Sequence, residues 1–151
     1  MRKLAASLLL ATTLTIGTGM STAHAEERGL GYVCNSWQAN IQPSMGFEQV
    51  HHRVLWLIRC ATDRWDVPGG YAQMVAIAER ESGPYTWPWA ANPSGSSGVF
   101  QIIGSTYASW RAAFADRVQM ARLVDNVFNA RTNVLLAVWA ANAYGLGAWG
   151  F

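Results

Sequence analysis

A single, mainly α-helical domain with a turn-rich loop at its centre is what this sequence predicts, and three observations predict it. Apolar residues recur at three-and-four spacing in successive segments, the mark of helices that bury one face. Clusters of Gly and Pro separate those segments. With 151 residues, 51% hydrophobic and 13% charged, the chain has apolar surface enough for one packed core and too little length for two domains. Disorder is excluded by the same composition, and 14 Gly and 5 Pro without a period exclude a collagen-like chain.

Residues 1–25 read as a secretory signal. Arg2 and Lys3 form a basic start, an apolar run follows from Leu4 to Ile16, and Ala23-His24-Ala25 ends it as a small-residue cleavage site. The run is shorter than the roughly 20 residues that a membrane span needs. Residues 26–67 then give an N-terminal arm and a first helix, and residues 68–151 a core that carries the candidate site. Within the arm, Cys34 and Trp37 are the anchors. The first helix is expected over 47–65, with Val50, Val54, Leu57, Ile58 and Ala61 on one stripe and Arg53, Arg59 and Arg64 elsewhere. Asp66-Val67-Pro68-Gly69-Gly70 breaks it. A second helix spans 70–82 and stops at Gly83-Pro84, because a residue before proline avoids the helical region.

Residues 85–98 hold Trp87, Pro88, Trp89, Asn92, Pro93 and then Ser94 to Gly98, a loop rich in Trp, Gly and Ser. Val99 to Ile103 reads either as a short strand or as the start of a helix. A short helix over 105–114 and a long one over 125–144 follow, the latter with Val127, Val134, Val138 and Trp139 on its inner stripe.

Once the leader is removed, 9 basic residues face 9 acidic ones and no lysine remains. The clustered cations that a nucleic-acid binder uses are missing, so no nucleic-acid partner is expected, and no membrane span in the mature chain. Cys34 and Cys60, an even pair in an exported protein, are expected to form one disulfide stapling the arm to the first helix. The mature chain is therefore placed outside the cell or at the cell wall.

Several chemistries find no support. The chain has no G-x-x-x-x-G-K-[ST] and no H-E-x-x-H. His51 and His52 are adjacent on one helix and point about 100° apart, so no metal is expected there, and no cofactor. Gly95-Ser96-Ser97-Gly98 falls short of G-x-S-x-G.

Glu81 is the unusual residue. On the second helix it follows Met74, Ile77 and Ala78 by seven, four and three positions, which sets a carboxylate on the apolar stripe. An acid in such a place either finds a partner, with Arg80, Arg111 and Arg131 the candidates, or holds a proton. The helix C-terminus and a lid of Tyr85, Trp87 and Trp89 would favour the proton. A protonated carboxyl at a pocket edge is what a general acid needs. Glu79 competes, but lies about 200° round the helix.

Glu81-Ser82-Gly83, Gly98-Val99-Phe100-Gln101 seventeen residues on, and Ala143-Tyr144-Gly145 after an Asn-containing helix together resemble the motifs of the soluble lytic transglycosylases. The tail from Gly145 to Trp149 is similar to that of the resuscitation-promoting factors of actinobacteria. The resemblance covers 68–149 and implies a lysozyme-like fold that cleaves the glycan strands of peptidoglycan. By the same resemblance Glu81 is the catalytic acid. Ser82, Gly98, Gln101 and Tyr144 line the sugar site, with Gln101 beside the cleaved bond and the Tyr144 hydroxyl bonded to the acid. Gly145 stands where the family has asparagine.

After Glu81 the next acidic residue is Asp116, thirty-five positions later. Glycosidases with two carboxylates need a partner flanking the bond. Without one, Glu81 would act alone, as acid and then as base on the substrate's own C6 hydroxyl. If Asp116 or Asp125 enters the cleft, hydrolysis becomes the outcome instead. Other readings are a chitin hydrolase and a wall-binding protein without turnover. Trp87 and Trp89 serve equally as sugar platforms or as a lid, whereas Trp139 reads as core.

Overall fold

The computed structural model describes residues 33–117 and 123–151. The expected signal segment, residues 1–25, lies outside the described residues, as does the side chain of Asp116. Helices dominate. Helix α1 (Phe47–Thr62) buries Val50, Val54, Leu57, Ile58 and Ala61, the stripe that its three-and-four spacing dictates. It ends three residues earlier than 65, where Asp63 N–H donates to Arg59 O at 2.9 Å and the chain turns. Helix α2 (Gly70–Ser82) has the expected bounds and buries Met74, Ile77 and Ala78. The Arg59 guanidinium lies 3.5 Å from the Tyr71 ring centre, a cation–π clasp between α1 and α2.

The segment after the central loop resolves into a small hairpin. Strand β1 (Ser96–Ser97) pairs antiparallel with β2 (Ile102–Ile103), Ser96 opposite Ile103 and Ser97 opposite Ile102. Of the two forms open to 99–103, only its last two residues are strand. Gly98 to Gln101 make the turn, with Gln101 N–H donating to Gly98 O at 3.2 Å. Helix α3 (Gly104–Arg117) follows and runs past residue 114.

Helix α4 (Ala130–Tyr144) begins five residues later than expected. Asn126 and Asn129 explain the delay. Phe128 N–H donates to Asn126 Oδ1 at 2.9 Å and Asn129 N–H to Asn126 O at 3.0 Å, a local turn that competes with helix. Asn129 then caps the helix by accepting Thr132 N–H at 3.0 Å. Val127 accordingly precedes α4 and is no part of its stripe. Nor is α4 one-sided, because every residue from Ala130 to Ala141 is buried. It is the central strut, against which α1 and α3 pack. Trp139 sits in the core, edge-on to Phe114. Short 3-10 turns at Trp37–Ala39 and Gly147–Trp149 complete the chain.

Cys34 and Cys60 are joined as a disulfide that ties the arm to α1. Among the described residues no helix is long and apolar enough to cross a membrane.

Candidate active site

Glu81 occupies the last turn of α2, with its side chain 25% exposed, while Glu79 faces solvent. The stripe position is therefore real, but the carboxylate is not alone. Arg80 donates to Glu81 Oε1 through Nη2 at 2.8 Å and Nε at 3.1 Å. Of the two fates open to an acid at this position, the folded chain supplies the arginine partner. Both donors land on Oε1, which leaves Oε2 without a bond among the described residues. The pair is half open to water, not sealed.

The rings expected as a lid are engaged with α1 and with each other. Trp87 packs at a tilt against Phe47 of α1 with ring centres 4.6 Å apart, and edge-on to Trp89 at 4.9 Å. Tyr85 meets Phe47 at 5.5 Å. Backbone geometry sends them there: Gly83 has φ +86° and Thr86 φ +48°, so the chain reverses just past α2. Thr86 is β-branched and strained in that region. It is fully buried, with its hydroxyl donating to Tyr85 O at 2.8 Å and lying 3.2 Å from His51 Nδ1. His51 thus serves the turn, and His52 is exposed beside it.

The tail closes round Arg80. The same Nη2 reaches Trp149 O, and the guanidinium lies 4.7 Å from the Phe151 ring centre. Trp149 in turn donates its indole N–H to Phe100 O at 3.1 Å. A continuous set of hydrogen bonds therefore runs from Glu81 through Arg80 and Trp149 to the hairpin turn. At that turn lies a groove of about 180 Å³ lined by Gln101, Ile103, Thr106, Trp110 and Trp149, among others.

Gly98 and Gln101 hold the turn by different means. Gly98 has φ +82°, and a Cβ there would meet Asn133 Nδ2 and lie 2.7 Å from Val127 O, so only glycine fits. Gln101 adopts φ +47° and donates its side-chain amide to Ala90 O at 3.0 Å and Gly98 O at 2.9 Å. Both amide hydrogens are thereby engaged, and only the amide oxygen remains to face the groove it lines. Ser82 spends its hydroxyl hydrogen on Ala78 O at 2.9 Å. Tyr144 corrects the expectation placed on it: no hydrogen bond joins it to Glu81 among the described residues. The ring packs edge-on against Trp139 at 5.6 Å and stays 56% exposed.

Asp125, the other carboxylate that was a candidate partner, points to α3. It lies 3.3 Å from Arg111 Nε and 3.4 Å from the Tyr107 hydroxyl. Burial first, and then the Asp125 charge, raise the Tyr107 hydroxyl above the usual phenol range, so it stays a donor.

Asn133 is the functional support that the sequence analysis passed over. It is buried on α4, accepts Phe100 N–H at 2.9 Å, and donates to Ser97 O at 3.2 Å and Val127 O at 3.0 Å. One amide thus pins the hairpin turn to the central helix. Its signal was an amide inside an otherwise apolar run, since a buried polar group must be bonded.

No family model matches the chain, and neither a curated protein sequence nor a solved structure shows a significant match to it.

Proposed function

We propose that the mature chain is a secreted, lysozyme-like lytic transglycosylase that cleaves the β-1,4 bond between N-acetylmuramic acid and N-acetylglucosamine in peptidoglycan, with Glu81 as its single acid and base. The observation that carries this reading is the placement of Glu81. A half-buried carboxylate ends a core helix and is linked through Arg80 and Trp149 to a groove beside the Gly98–Gln101 turn. The three short motifs quoted above support the substrate class by resemblance.

The chemistry follows from the two carboxyl oxygens. Arg80 engages Oε1, so Oε2 is the oxygen through which Glu81 would exchange a proton with the substrate. Oε2–H protonates the glycosidic oxygen as the bond to the anomeric carbon breaks. The resulting carboxylate, held by Arg80, then takes the proton of the muramoyl C6 hydroxyl as that oxygen bonds to the anomeric carbon. The proton returns to Glu81 and the product is a 1,6-anhydro sugar, with no water consumed. Asp125 is engaged by Arg111 and Tyr107, which supports the single-carboxylate reading over a hydrolase with a second carboxylate across the bond.

The Arg80–Glu81 pair favours a second reading too, a wall-binding protein that keeps the groove without turnover, because the carboxylate is already engaged by a partner within the chain. Lysis of purified cell walls separates the two. Under the first reading Glu81→Gln loses about 100-fold or more of the wild-type rate with its melting temperature unchanged. Wild-type protein that binds walls without releasing muropeptides would establish the second.

A further inference from the structure

A second groove lies apart from the one beside Gln101. This cleft of about 580 Å³ lies on the outer face of α1, within the range of about 300 to 1,000 Å³ usual for ligand pockets. Its walls include Trp37, Trp56, Gln49, Glu48, His52 and Arg53. Trp37 is the odd member. Its ring is 71% exposed, yet its backbone is firmly held. Arg53 Nη1 donates to Trp37 O at 3.1 Å and Asn40 O at 2.6 Å, and its guanidinium lies 5.1 Å from the indole centre. Ser36 caps the turn by accepting Gln38 N–H at 3.2 Å, and the Cys34–Cys60 disulfide anchors the same segment to α1. An indole left in water contributes little to the core, so the ties around it produce a fixed, wet aromatic face.

We infer that this cleft is a second saccharide site, one that binds a neutral N-acetylhexosamine ring of a glycan by stacking it on Trp37. The ring face of an indole is electron-rich, and the C–H face of a pyranose is weakly positive, so the two stack. Hydroxyl and acetamido groups require donors and acceptors together, and Gln49, Glu48 and His52 supply both. Charge selects among ligands. One carboxylate and one guanidinium line the cleft, so an anion meets Glu48, a cation meets Arg53, and an uncharged polar ring meets neither penalty. The site lies on elements separate from the groove beside Gln101 and does not depend on turnover at Glu81. Its consequence is retention on a polymer: two sites on one body raise avidity for a long glycan without altering the affinity of either.

The test uses the mature chain carrying Glu81→Gln, so that no ligand is consumed, with indole N–H resonances followed by NMR as tetra-N-acetylchitotetraose is added. The expected result is saturable movement of the Trp37 and Trp56 signals. Adding Trp37→Ala weakens the Trp56 response about tenfold, the scale of one lost aromatic contact, and leaves any response at Trp110 and Trp149 unchanged. Movement confined to Trp110 and Trp149, no movement at all, or a Trp56 response that survives Trp37→Ala intact overturns the second site. None of these outcomes depends on whether the wild-type protein cleaves walls, so the two readings fail separately.

Discussion

At Glu81 and its neighbours, small changes have separable effects. Arg80 ties one carboxylate oxygen and the tail together through a single guanidinium. Replacing it removes the device that orients the acid while leaving the apolar stripe beneath intact. Arg80→Ala is expected to lower kcat by about 10- to 100-fold with KM little changed, the signature of a misplaced group and not of lost binding. Steady-state kinetics on soluble glycan fragments measure it, and a change confined to KM would contradict the orienting role. Asn133→Ala acts differently. It strands the buried Phe100 N–H and two carbonyls, at a cost of about 2 to 3 kcal/mol read from urea unfolding. An unchanged midpoint would mean that another group holds the hairpin turn. Gly98→Ala is expected to be at least as damaging, since the added methyl meets Asn133 and Val127 O in a left-handed backbone.

Among the elements, legibility followed local chemistry. The bounds of α2 were readable because Gly70 and the Gly83-Pro84 pair limit it on both sides, whatever packs around it. The stripe of α1 was readable because one face is buried and the rest is wet. Helix α4 was misjudged for the opposite reason. Buried all round, it has no amphipathic period to mark where it starts, and the turn at Asn126 hides in a run that periodicity alone extends. The cap at Asn129 was the available cue. Asn129→Ala should remove it at about 1 kcal/mol, seen as a lower thermal midpoint. Partner choice at Glu81 was harder still. Three arginines were candidates, and Arg80, which also reaches Trp149 O of the folded-back tail, is the one that pairs with the acid. Trp87 likewise found a partner, Phe47, that lies far away in sequence and close in space, whereas Tyr144 meets Trp139 on its own helix.

For the molecule as a whole, one core joins α1, α2, α3 and α4, and the disulfide fastens the arm to it across 26 residues. Closing a loop of that size restricts the unfolded chain, a contribution of about 3 to 4 kcal/mol. Reduction should therefore lower unfolding stability by about that much, and it should loosen the segment that carries Trp37 before it disturbs the groove beside Gln101. Hydrogen exchange with and without reductant separates those effects, and uniform loss of protection would contradict them. The central claim concerns what Glu81 does to a glycan, and mass spectrometry of muropeptides released by the mature chain tests it most directly. Products ending in 1,6-anhydro-N-acetylmuramic acid are predicted. Products bearing only reducing ends, one water heavier, would contradict the single-carboxylate mechanism.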